Sequence, residues 1–210
     1  MGEADDQDRV NERDEDDALI ARTAAGEERA FAVLIARHGD RIASLARRML
    51  GPSGDVDDIV QETFLRLWSQ APVWQPGGAK LSTWLYRVAS NMCIDRLRKP
   101  SNAPLDGLAE PPDPGPQPDQ DYAAAKAALQ IEQALQVLAP RQRMAIVLCH
   151  FEEMTNIEAS QVMGLTVDAL ESLLARGRRA LRSELSEEGS WLIAALRDGG
   201  MDAAREVRNG

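Results

Sequence analysis

Aromatic residues make up only 4% of this sequence. Sheets draw heavily on aromatic and β-branched side chains, so the shortage, beside abundant Ala and Leu, favours helices. No segment alternates convincingly between apolar and polar residues, so no strand is expected. Cysteine is nearly absent: Cys93 and Cys149 stand far apart, in no CxxC pattern. They give neither a zinc framework nor a disulfide lattice, and a reducing cytoplasm is the expected compartment. Long apolar runs are missing too; none approaches the roughly 20 residues of a membrane span. The N-terminus lacks the basic start and apolar run of a signal peptide. Catalytic signatures are likewise missing: there is no P-loop, GxGxxG, HExxH or nucleophile elbow. The two histidines are His38 and His150. Cys149 beside His150 supplies two ligands, too few for a metal site, so both read as ordinary helix residues near a core. An enzyme is not expected, nor a cofactor or a metal.

What the sequence has is acid, unevenly spread. The chain of 210 residues carries a net charge of −10. Residues 1–20 hold nine acids against Arg9 and Arg13, and residues 101–122 hold five acids and no base. The remainder is close to neutral, so the overall charge says little about any one face. Segment 101–122 also carries six of the eleven prolines. Proline removes a backbone donor and keeps the residue before it out of helix, so this segment reads as a linker. Residues 1–17 read as an acidic disordered tail. The expected layout is a helical domain over 18–100, the linker 101–122, a second helical domain over 123–185, and a tail over 186–210. The fold class is all-α.

Helical periodicity supports that layout. Residues 27–50 set Phe31, Leu34, Ile35, Ile42, Leu45, Ala46 and Met49 on one face, ended by Gly51-Pro52. Asp55 is placed to cap the next helix, whose stripe is Val56, Ile59, Val60, Phe64 and Leu67. A loop over 70–80 precedes a third helix, starting at Ser82 or Thr83 and running through Lys99. Beyond the linker, helices are expected over 122–138 and 140–151. A short helix then follows Thr155, Gly164 turns the chain, and Thr166 caps a longer helix to about Glu184. Short helix, Gly-containing turn, longer helix is the helix-turn-helix pattern.

Three polar stripes are candidates for binding. The last helix places Ser172, Arg176 and Arg179 on one face, with Arg178 and Arg182 beside them. Arginines after a helix-turn-helix suit phosphates and base edges, although Asp168 and Glu171 stand at the helix start. The third helix carries Trp84, Arg87 and Asn91, then Arg96, Arg98 and Lys99. An aromatic, an Arg and an Asn on one face can stack on and hydrogen-bond an unpaired base. The second helix sets Asp58, Gln61, Glu62 and Leu65 on an outward stripe, suited either to a basic partner helix or simply to water.

These residues resemble a known family. DVDDIVQETFLRLW (55–68) and LSTWLYRVASNMCIDRLRK (81–99) resemble region 2 of the sigma-70 family. LAPRQRMAIVLCHFEEMT (138–155) and VMGLTVDALESLLARGRRALR (162–182) resemble region 4. A linker in place of a region 3 domain matches the extracytoplasmic-function (ECF) group. The resemblance implies a transcription initiation factor that binds core RNA polymerase and promoter DNA and helps melt it. Asp58, Gln61, Glu62 and Leu65 would dock on the β′ coiled coil. Trp84, Arg87, Asn91, Arg96, Arg98 and Lys99 would serve the minus-ten element, with Asn91 in the element that captures a flipped base. Thr166, Ser172, Arg176, Arg178, Arg179 and Arg182 would read the minus-thirty-five element, and the same domain would meet the β flap. An anti-sigma factor is an expected partner, and membrane insertion is not expected. The chain departs from the family at Glu158-Ala159-Ser160, at Asp168-Ala169-Leu170, and at Glu171 and Leu173. A helix-turn-helix regulator acting without polymerase is the alternative reading.

Overall fold

The computed structural model describes residues 3–51, 55–98 and 131–184. The expected linker 101–122, the tail 186–210 and Lys99 lie outside the described residues. Seven helices follow in chain order: α1 (Glu3–Ala24), α2 (Glu28–Leu50), α3 (Val56–Gln70), α4 (Leu81–Arg98), α5 (Pro140–Ile146), α6 (Asn156–Met163) and α7 (Val167–Glu184). A 3-10 turn, Ala71–Val73, follows α3. Residues 131–136 are also helical, and α5 continues into a π-helical turn, Val147–Phe151. Among the described residues there is no strand.

The disordered acidic tail expected over 1–17 is corrected by α1, which begins at Glu3 and runs unbroken to Ala24. Its C-terminal half buries Leu19 and Ile20 against the first bundle. Its acids find partners far along the chain. Asp16 is buried, with Oδ2 2.9 Å from His38 Nε2 and Oδ1 accepting from Arg37 Nη1 at 2.7 Å. Arg37 Nη2 donates to Glu15 at 3.0 Å. Composition alone made this segment look unable to fold, because the groups that pair with it sit more than twenty residues away.

Helix ends show local chemistry. Gly51 stops α2 at φ 79°, and its N–H donates to Arg47 O at 2.8 Å. A positive φ suits glycine, which has no Cβ to clash. Asp55 occupies the cap position of α3 but makes no side-chain cap bond, because its carboxylate pairs with Arg96 instead. Thr155 and Glu158 form a reciprocal capping box at α6: Glu158 N donates to Thr155 Oγ1, and Thr155 N donates to Glu158 Oε2. Gly164 turns the chain in the left-handed region at φ 62°. Thr166 Oγ1 then accepts from Ala169 N at 3.2 Å, as its expected cap role requires. A Cβ at Gly177 would lie 3.1 Å from Ile146 Cγ1, so glycine lets α7 lie close on α5.

The two halves share one apolar core, which runs from Leu34 and Leu45 through Leu85 to Met144, Leu148 and Leu170. Where they meet, polar groups join across the boundary. Ser90 Oγ donates to Met144 Sδ at 3.2 Å. Tyr86 Oη donates to Glu152 Oε2 at 2.5 Å, and Arg48 Nη1 lies 3.5 Å from Glu152 Oε1. The Arg48 guanidinium stacks 4.7 Å over the Phe151 ring. Arg143, almost fully buried, donates to Met49 O at the end of α2 and to the Gln136 carbonyl and side chain. Burial of Glu152 pushes its carboxyl above the ordinary range, and burial pushes the Tyr86 hydroxyl up as well.

Candidate docking and nucleic-acid surfaces

The acidic stripe on α3 forms one wall of a groove. Asp58, Gln61, Glu62 and Leu65 lie along it, and α4 supplies the opposite wall with Met92 and Asp95. Buried Ile59, Phe64 and Leu67 on the other side of α3 fix the rotation that turns this stripe outward. Leu65 is 52% exposed and Trp68, one turn on, is 38% exposed. Two arginines trim the negative charge. Arg66 donates to Glu62 at 2.9 Å, and Arg96 pairs with Asp55 and lies 3.5 Å from Asp58. Met92, Asp95 and Arg66 were not picked out by sequence reasoning; the i, i+3 and i+4 spacing of Met92, Asp95 and Arg96 was the available signal.

The α4 face keeps Arg87, Asn91 and Arg98 exposed, with Trp84 half-buried. The Arg96 guanidinium is engaged by Asp55 and lies 3.5 Å from Asp58. Trp84 meets Trp74 of the preceding loop edge to face, at 6.1 Å and 85°. Asp17 of α1 fastens that loop: Oδ1 accepts from Trp74 Nε1 at 2.8 Å, and Oδ2 accepts from Gly77 N at 3.0 Å. The loop is therefore held by three elements, α1, the 3-10 turn and α4. Across the boundary, a Cβ at Gly164 would sit 3.5 Å from Arg87 Nη2, so the turn of the helix-turn-helix rests on this face.

On α7, buried Leu170, Leu174 and Leu181 set the inner face. Thr166, Ser172, Arg176, Arg179 and Arg182 are exposed. Arg176 Nε donates to Ser172 O at 3.1 Å, which lays that side chain along its own helix. Arg178 differs from the rest. It is half-buried, and Nη2 donates to His150 Nε2 at 3.2 Å. Acceptance at Nε2 fixes the neutral imidazole with its proton on Nδ1. Burial, reinforced by the Arg178 charge, lowers His150 to about 4. Burial likewise raises Cys149 to about 11 and Cys93 to about 12, so both thiols stay protonated and unreactive. Glu171, an acid at the start of α7, accepts from Asn156 Nδ2 at 3.2 Å. Among the described residues no group of three or more His, Cys, Asp or Glu side chains is placed to hold a metal ion. No described helix is long and apolar enough to cross a membrane.

Fold and surfaces together define a class: an all-helical bundle carrying an acidic groove and an Arg–Asn face, joined to a helix-turn-helix. Residues 34–102 match the family model for sigma-70 region 2, and residues 128–181 match that for sigma-70 region 4. The ECF RNA polymerase sigma factor SigE of Mycolicibacterium smegmatis is 31% identical over 88% of this chain and 74% of its own length. The RNA polymerase sigma factor CnrH of Cupriavidus metallidurans is 33% identical over 85% of this chain and 98% of its own. The solved structure of CnrH in complex with the cytosolic domain of CnrY aligns at a TM-score of 0.60 and 32% identity, covering 80% of this chain and 96% of that one. The chain belongs to the sigma-70 family, in its ECF group. It serves transcription initiation, in a family of non-enzymatic transcription factors.

Proposed function

We propose that this chain binds core RNA polymerase through the α3 groove, reads the two promoter elements with α4 and α7, and helps melt the DNA between. The observation that carries the reading is the groove itself. Its acids and exposed Leu65 suit a basic, amphipathic helical partner, as the β′ coiled coil would be, and a free-standing DNA regulator has no use for such a surface beside its DNA face. Asn91 supplies the amide that can pair with an extruded base, Trp84 supplies a ring, and Arg87 supplies a donor. Binding only the unstacked base favours melted over duplex DNA. Arg176, Arg179 and Arg182 supply donors for phosphates and base edges of the minus-thirty-five element. The same region 4 half would meet the β flap. An anti-sigma factor is the further partner we propose; the CnrH–CnrY complex supports a protein-binding surface on this fold.

The test is reconstitution. The full chain is combined with core polymerase, and transcripts are mapped on a promoter library. Initiation from a defined promoter class supports the reading. A folded protein that binds duplex DNA alone but neither binds core nor initiates would overturn it in favour of a helix-turn-helix regulator.

A further inference from the structure

We infer that Asp17 is a positioning residue for base capture: it clamps the loop 74–80 so that Trp74 holds Trp84 beside Arg87 and Asn91. The inference rests on the proposed base-capture role of α4. One carboxylate makes both bonds. Oδ1 takes the Trp74 indole N–H at 2.8 Å, and Oδ2 takes the Gly77 amide at 3.0 Å. The two donors lie on either side of Pro76, so the clamp fixes the loop's curvature as well as its distance from α1.

Gly77 stands at φ 77°, and a Cβ there would meet no atom within 4 Å, so the loop tip is not packed into place. Gly78 N donates to Gln75 O at 3.2 Å within the loop. Val73, just before Trp74, is 66% exposed. The Asp17 carboxylate and the edge contact of Trp74 with Trp84 tie this loop to α1 and α4, and Trp74 also packs against the core. A ring that must meet an unstacked base gains from being held in advance, because its ordering cost is then met before the base arrives. Hydrogen bonds to an ionised carboxylate are among the stronger kinds, which suits a single side chain to this task.

The experiment uses holoenzyme assembled from the full chain and core polymerase. A randomised single-stranded DNA pool is bound and sequenced, and the enriched sequence is remade as a labelled oligonucleotide. Asp17→Ala removes both bonds and is expected to weaken oligonucleotide binding at least about tenfold. Its core affinity should remain within about twofold, since α1 clamps the loop and not the α3 groove. Trp74→Phe removes the indole N–H together with the pyrrole part of the ring, and should give a loss of the same order. In the double variant the losses should not add fully, because both changes break the Asp17–Trp74 bond. Asp17→Asn keeps an acceptor for the indole but turns an amide N–H toward Gly77, and should fall between wild type and Asp17→Ala. Unchanged oligonucleotide binding in Asp17→Ala, additive losses, or an equal loss of core affinity would each overturn the inference. Asn91→Ala and Arg87→Ala separate the two levels. If they weaken the oligonucleotide and Asp17→Ala does not, the clamp alone fails. If none of the variants does, base capture fails and the clamp with it.

Discussion

Lowering the pH should destabilise the region 4 half through a single ring. His150 is 8% exposed and accepts a hydrogen bond from Arg178. Protonating Nε2 would abolish that acceptor and place a second positive charge 3.2 Å from the guanidinium. Burial first, then Arg178, holds the folded-state value at about 4 against an ordinary 6.5. The folded pKa is depressed, so the unfolded chain takes up the proton first. Stability is full above about 6.5 and drains away as the pH falls to about 4. At about 1.4 kcal/mol per pKa unit, the loss has an upper bound of about 3 kcal/mol. Glu152 opposes it. Its carboxyl is raised in the folded state, so acid stabilises its surroundings. The wild-type curve alone mixes both effects.

His150→Gln separates them. A glutamine oxygen can accept from Arg178 and does not titrate. Denaturant unfolding of both proteins, followed by far-UV circular dichroism at a series of pH values from 7 to 4.5, gives the difference curve. Wild type should lose stability relative to His150→Gln below pH 6.5, by about 2 kcal/mol at pH 5. Parallel curves over this range would refute the neutral, Arg178-bound imidazole.

Three further outcomes are expected. Charge reversal of Asp58 and Glu62 to Arg should weaken core polymerase binding at least tenfold, measured by fluorescence titration, while unfolding stability falls by no more than about 2 kcal/mol, because the pairs lost with Arg66 and Arg96 are at the surface. Arg179→Ala should weaken duplex DNA binding and lower the salt slope by about one, whereas Arg178→Ala should chiefly cost stability, about 1–3 kcal/mol, seen in denaturant unfolding. Glu152→Gln should flatten the pH dependence of the contact between the halves. In wild type that contact is tightest toward acid and loosens as the pH rises past the ordinary carboxylate range, which small-angle scattering would register as an increase in size.

Much of the architecture was legible because it is written in local signals. The Gly51 stop, the Thr155 and Thr166 caps and the Gly164 turn all depend on residues within four positions of one another. The α3 stripe was legible for the same reason. α1 was not, because Asp16 and Asp17 look like a solvated acidic run until His38, Arg37 and Trp74 arrive from elsewhere. Deleting residues 1–17 would therefore remove the clamp on loop 74–80. Arg178 could have been separated from its neighbours. At 100° per residue it lies about 60° from the centre of the Leu170, Leu174 and Leu181 stripe, whereas Arg179 lies about 160° away. The joining of the halves was hidden by the intervening 101–122 segment. Arg143, Tyr86 and Glu152 carry no local mark of partners that lie in the other half.

The approach of Gly164 to Arg87 sets a ruler against the promoter. Elements named for positions ten and thirty-five lie about 25 base pairs apart, or about 85 Å along B-form DNA. The proposed reading surfaces, held as close as the Gly164 turn and Arg87 are here, cannot span that length, and even the full 18-residue length of α7 is only about 27 Å. Residues 99–130, drawn out at about 3.5 Å each, reach roughly 110 Å, so the covalent chain is long enough. The obstacle is the set of contacts between the halves: Tyr86 with Glu152, Ser90 with Met144 and Arg143 with Met49. Engaging both elements at once means trading every one of them for contacts with polymerase and DNA. On the proposed reading, the affinity for a promoter contains, as a subtracted quantity, the work of parting the two halves.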